Sequence, residues 1–194
     1  MNELLQCIEE DYKRVVHKPG NVVKYLRGFF SLPGFRAVVL YRLGHWFYVH
    51  HRYRLTGFCQ RLMFHLSSCE ISTTAEIGMG LYVPHPFGLV VGDSTRVGNY
   101  CSLRQNVTLG GNFGRKDING RSQPWIGDNV SVGAGAVIAG PVRIGSNGII
   151  GANSVVITDM PDNFRASGIP AQVRRRRSPS PKFYFPEPSD MPEQ

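Results

Sequence analysis

The chain has 194 residues, 42% hydrophobic and 19% charged, a balance that supports a packed core and excludes wholesale disorder. Its 22 basic residues against 14 acidic ones leave +8, an excess that points to anionic partners. Glycine at 22 and proline at 13 are high for a helical bundle and natural for a turn-rich β protein.

Residues 1–69 read as an α-helical segment. Glu3 to Val16 is polar and amphipathic, and Asn21 to Phe30 is a short helix ended by the Leu32-Pro33-Gly34 break. Pro33 to about Ser68 then gives one long or two consecutive apolar and aromatic helices. No acidic residue stands between Asp11 and Glu70, and Trp46, Phe47, Tyr48, Tyr53 and Phe58 interleave with Arg and His. Such helices either cap the following domain and pack between subunits, or lay a basic, aromatic face against a membrane. No apolar run reaches spanning length, because Phe35 to Val49 is interrupted by Arg36, Arg42 and His45. The four cysteines form no CxxC pair and no metal-type spacing, and no secretory signal is evident. The expectation is a cytoplasmic protein with reduced thiols and no metal, in contact with the inner membrane only peripherally.

From Glu70 onward an aliphatic residue recurs every sixth position in three phased blocks. They are Ile71, Ile77, Val83, Leu89; then Val91, Val97, Leu103, Leu109; then Ile126, Val132, Ile138, Ile144, Ile150, Val156. A period of six fits neither an α-helix nor a simple alternating strand. It fits short strands joined by tight turns, three strands to a triangular coil, with coils stacked over an aliphatic column. The fold expected is therefore mainly β, a parallel β-helix over 70–173 with an inserted loop at 110–125. Gly168-Ile169-Pro170 reads as an extended exit, and 174–194 as a basic, proline-rich tail.

His85 is the one histidine in the repeat, set between Pro84 and Pro86 where the phase breaks; the other five lie in the helical segment. Taken alone, such a residue is either structural or a base. Cys101, at an inward position, reads as a small core residue.

The stretch from Pro33 to Val173 resembles the serine acetyltransferases, within the hexapeptide acyltransferases. The resemblance rests on "LPGFRAVVLYRLGHWFY", "EISTTAEIG", "HPFGLVVGD", "NVTLGG", "VGAGAVIAG", "GANSVV" and "GIPAQV" in that order. It implies a left-handed β-helix, a homotrimer with active sites between subunits, and transfer of an acetyl group from acetyl-CoA to a hydroxyl. It also implies His85 as the catalytic base and Glu70 as its carboxylate partner. A neutral imidazole would take the hydroxyl proton as the oxygen attacks the thioester, and Glu70 on the far ring nitrogen would fix the tautomer. Gly110 and Gly111 of "TLGG" either offer N–H groups to the developing oxyanion or simply open the loop. For acetyl-CoA the resemblance points to the backbone at Ala134 and Ala152, and to Thr158, Ser167, Arg174 and Arg175 around the nucleotide. Arginine suits the phosphates, although a solvated basic tail reads equally from the residues.

The chain departs from that family at the groups that hold serine. Pro84 stands where an Asp precedes the base, Ser122-Gln123 where an Arg-His pair belongs, and Lys18 in place of an Asp in the helical segment. The lost charges, with Gln123, Asn112 and Asn119, lead to the expectation of a sugar hydroxyl as acceptor, in surface-polysaccharide synthesis. The alternatives are serine acetylation for cysteine biosynthesis and, in another class, a non-catalytic membrane-surface scaffold. Nucleic acid is discounted, because no reading motif accompanies the basic residues.

Overall fold

The computed structural model describes residues 2–175. The expected tail beyond Arg175, and the side chains of Arg174 and Arg175, lie outside the described residues.

Four helices come first: α1 (Asn2–Val16), α2 (Val22–Ser31), α3 (Pro33–Val49) and α4 (Tyr53–Ser67). Asn21 caps α2 by accepting a hydrogen bond from the Lys24 N–H at 3.0 Å, and Pro33 opens α3, where its missing N–H costs nothing. The apolar stretch after Pro33 is two helices rather than one. The chain turns at His50–Arg52, with His51 left-handed at φ 57°. No described helix is long and apolar enough to cross a membrane.

The repeat then builds short strands. They are β1 (Glu70–Ile71), β2 (Glu76–Ile77), β3 (Val90–Val91), β4 (Arg96–Val97), β5 (Ser102–Leu103), β6 (Thr108–Gly110) and β7 (Trp125–Ile126). After the loop follow β8 (Ser131–Val132), β9 (Val137–Ala139), β10 (Arg143–Ile144), β11 (Ile149–Ile150), β12 (Val155–Val156), β13 (Phe164–Gly168) and β14 (Ala171–Arg175). They stack into three sheets: A (β1-β3-β6-β9-β12), B (β2-β4-β7-β10) and C (β5-β8-β11-β13-β14). Every pairing is parallel except β13 with β14. This is the left-handed parallel β-helix, preceded by an α-helical segment. In most of these strands one residue points inward and its neighbour outward, so all fourteen aliphatic residues of the six-residue pattern are buried.

The register explains the phase break. Ile71 pairs with Val91, twenty residues on, whereas Val91 pairs with Leu109, eighteen on. The first coil thus carries two extra residues, held in the turn between Tyr82 and Val90 that contains His85.

The start of the column is covered by helices, and at the far end a hairpin extends sheet C. At the start, α3 lies across the first coil and satisfies its open carbonyls. Tyr41 Oη donates to Ala75 O at 2.8 Å, Arg42 Nη1 to Ile77 O at 2.5 Å, and His45 Nδ1 meets Thr73 O at 2.9 Å. Asp11 of α1 completes the joint, bonding Arg42 at 2.8 and 3.1 Å and accepting from the Leu81 N–H at 2.7 Å. With side chains only 1% and 5% exposed, this ion pair has every nearby donor and acceptor enlisted, which is what lets two charges stay buried. At the far end, residues 164–175 depart from the expected extended exit. They fold back as the antiparallel β13–β14 hairpin, with β13 adding to β11, so backbone groups that an extended exit would leave open are paired.

Candidate active site

Three sheets make a prism with three corners, and the predicted site residues sort between them. At the corner where sheet C turns into sheet A lie the turns 84–89, 104–107, 133–136 and 151–154. They are stitched along the axis by Asn106 N–H to Phe87 O, Gly135 N–H to Gln105 O and Asn153 N–H to Ala134 O, at 2.9, 3.0 and 2.9 Å. His85 sits exposed at the top of this corner. Pro84 precedes it and is half-buried, and the start of α3 abuts the same turn: a methyl on Gly34 would drive into the Val83 carbonyl oxygen. Gly88 closes the turn in the left-handed region at φ 68°, where a side chain would strike Asn106.

Glu70 opens β1 directly beside Val90, the residue that leads out of the His85 turn, and its side chain is exposed. Among the described residues no hydrogen bond joins the His85 ring to Glu70, so the expected pair shares a corner without being engaged. Ala134 and Ala152 lie one coil apart on the same edge. Ser167 continues it, its neighbour Gly168 donating to Ser154 Oγ at 3.3 Å. Ala152 and Ser167 are exposed and Ala134 is half-buried, which leaves a strip of backbone open for an extended chain.

The remaining predicted residues stand elsewhere. Gly110 ends β6 opposite Ala139, and its carbonyl accepts from the Gly140 N–H at 2.8 Å. Gly111, Ser122 and Gln123 lie at the two ends of the inserted loop, at the corner where A turns into B. Gln123 reaches back toward Gly92 and Gly111, and its buried Oε1 has no hydrogen-bond partner among the described residues. Thr158 is also on the A–B corner, away from Ala134 and Ala152. Lys18 is exposed between α1 and α2.

Two features escaped sequence reasoning. Gln105, on the His85 corner, also holds a buried Oε1 with no partner among the described residues. On sheet B, Trp125 gathers three guanidinium groups, from Arg96, Arg121 and Arg143, at 4.6, 4.7 and 5.2 Å from its ring centroid. Outward positions one coil apart carried the signal for Arg96, Trp125 and Arg143. Arg121 comes from the loop, outside any period.

Burial pushes the cysteine thiols up, Cys69 to about 12 and Cys101 to about 11. That leaves Cys101 a packed, protonated thiol donating to Gly127 O at 3.2 Å rather than a nucleophile. No group of three or more His, Cys, Asp or Glu that could hold a metal occurs among the described residues.

Residues 123–158 match the model of the bacterial transferase hexapeptide family (six repeats), so fold and repeat together define a hexapeptide-repeat transferase. Similarity to whole proteins narrows this. The chain is 36% identical over 174 residues to the serine acetyltransferase of Synechococcus elongatus, covering 88% of this chain and 68% of that protein. It is 35% identical over 171 residues to that of Escherichia coli, covering 88% and 62%. Among solved structures, the Neisseria gonorrhoeae serine acetyltransferase in complex with serine superposes with a TM-score of 0.77 at 34% identity, covering 89% of this chain and 69% of that one. A serine acetyltransferase in complex with CoA gives 0.76 at 32%, covering 89% and 70%. The chain belongs to the serine acetyltransferase family and spans about two thirds of the length of these relatives.

These relatives overturn the expectation of a sugar acceptor. That reading weighed lost charges and a Gln123 amide taken to face the acceptor. Within one chain Gln123 instead lies under the loop on a different corner from His85, so the amide and the imidazole of the same copy do not face a common acceptor.

Proposed function

We propose that the chain moves the acetyl group of acetyl-CoA to the hydroxyl of L-serine, with His85 as the general base. The observation that carries this reading is the similarity over 88% of the chain to serine acetyltransferases, together with one exposed histidine at the head of an open backbone strip. The neutral imidazole accepts the serine hydroxyl proton while the oxygen attacks the thioester carbonyl. Collapse of the tetrahedral intermediate breaks the carbon–sulfur bond, and the imidazolium returns its proton to the departing thiolate. O-acetylserine and CoA leave, with no acyl-enzyme. Glu70, one strand away, orients the ring and stabilises the imidazolium once substrate draws the two together.

The pantetheine arm would follow the corner past Ala134 and Ala152 toward Ser167. Arg174 and Arg175 follow in β14, and arginine forks suit the phosphates. Thr158 is out of line with this path and contributes only if the nucleotide turns across sheet A. A homotrimer reconciles the two corners: Gly111, Ser122 and Gln123 of one copy would complete the site at His85 of the next.

The test is thiol release by the purified chain from acetyl-CoA, with and without L-serine. Serine-dependent release is expected, and His85→Ala should lower its rate roughly a hundred- to ten-thousand-fold with the thermal melt unchanged. An undiminished rate in that variant removes His85 from the chemistry. The absence of serine-dependent release from the parent protein removes the acceptor.

A further inference from the structure

Sheet B is the face of the prism opposite the His85 corner, and its outward column runs Glu76, Arg96, Trp125, Arg143 in direct register. We propose that this face carries an oxyanion site for a phosphate-bearing small molecule, built by Arg143 and Arg96 around the indole of Trp125. The site is separate from the acetyl-CoA path and does not depend on the proposed acetylation.

Three cations converge on one ring, and two of them have carboxylates. Asp117 meets Arg121 at 3.1 Å, where both side chains are largely buried. Glu76 meets Arg96 at 2.9 Å with both ends well exposed. Arg143 has no carboxylate at ion-pair distance among the described residues. Asp159, on the turn of the next coil, accepts instead from the Arg143 backbone N–H at 2.7 Å. Three carboxylates thus surround three guanidinium groups, and Arg143 is the one cation whose own guanidinium meets none of them at ion-pair distance.

Geometry then selects the ligand. The Arg96 fork is held by both Glu76 oxygens and Arg121 Nη2 donates to Pro141 O at 3.0 Å, whereas Arg143 lies over Trp125 with its N–H groups free to donate. The Arg143 side chain and the Trp125 indole N–H have no acceptor among the described residues. The Arg96 and Arg143 guanidinium carbons both lie about 5 Å from one ring centroid, so the Arg143 fork is the one open to a tetrahedral anion and Arg96 adds positive charge on the other side of the same indole. The exposed Glu76–Arg96 bridge is of the kind that contributes little, so a dianion can take its place. A phosphate dianion brings two charges and four oxygens to this cluster. A carboxylate brings one charge and two oxygens.

The chain has two tryptophans, so Trp46→Phe isolates the emission of Trp125. Inorganic phosphate titrated into that protein at constant ionic strength should give a saturable change that persists with CoA at saturation. Arg143→Gln should weaken the apparent affinity at least tenfold, and Arg143→Lys should fall between because it keeps charge without the fork. Acetate should bind at least tenfold more weakly than phosphate. Thermal melts confirm that each variant is folded; should the Gln variant unfold, the Lys variant decides alone. Equal affinity in the folded Arg143 variants overturns the site. So does loss of the signal with CoA, or a change that chloride reproduces. Equal responses to acetate and phosphate overturn the phosphate assignment.

Discussion

His85 is exposed while Cys69 and Cys101 are sealed, and this contrast sets what each can do. A thiol whose pKa burial has raised to about 11 or 12 is protonated at pH 8 to all but about one part in a thousand or less. Both should resist iodoacetamide in the folded protein and react once guanidinium unfolds it, as mass spectrometry would read. The same shift has a sign for stability. Above the ordinary thiol pKa of 9.0 the unfolded chain loses these protons while the fold retains them, so stability falls as pH rises from about 9 toward 12. A denaturant midpoint that climbs across that range contradicts the assignment. Under the proposed serine acetylation, Ser122 and Gln123 would offer no charge to the substrate carboxylate. The double variant Ser122→Arg with Gln123→His should lower the KM for serine at least tenfold and leave that for acetyl-CoA unchanged, which steady-state kinetics in both substrates would decide.

Among the elements, α3 connects the helical segment to the turn that holds the proposed base. Its residues Tyr41, Arg42 and His45 cap the first coil, and its second residue, Gly34, lies against the turn that holds His85. Adding one methyl there meets backbone, which cannot swing aside. Gly34→Ala is expected to cost roughly 1–3 kcal/mol in a thermal or denaturant melt and to lower kcat more than it raises KM. Gly57→Ala on α4 is the control, because the added carbon meets only Arg61 Nη2 at 3.9 Å. A small gain in helix stability should follow there. If both substitutions behaved alike, the contact at Val83 would carry no energetic weight.

At the scale of the whole molecule, the separation of Gln123 from His85 makes a definite prediction. If the site forms between copies, trimers assembled from His85→Ala chains and Gln123→Ala chains contain some interfaces with both wild-type groups. Mixing the two inactive proteins through a reversible unfolding step should recover about a quarter of wild-type activity, since one interface in four on average receives both intact partners. No recovery, with trimers verified by light scattering, would place the whole site within one chain.

The coiled architecture was legible because every sixth residue must be aliphatic to fill a triangular column, and Ile126 through Val156 obey that without exception. The turn that matters was legible too, since two extra residues around His85 shift the phase from Leu89 to Val91. Local spacing could not tell which corner each residue occupies. The inserted loop displaces the count by a length that only its folded path sets, so Gln123 and His85 part company while Arg121 returns to stack on Trp125. The terminal hairpin had no periodic signal either, because it is dictated by strand edges that exist only once the coils have stacked. Sequence by itself determined the repeat, its break and the place of His85 within that break, because those depend on neighbours along the chain. Which charges meet, and on which face, belonged to the tertiary structure, because contacts between coils join residues that lie sixteen to twenty-nine positions apart.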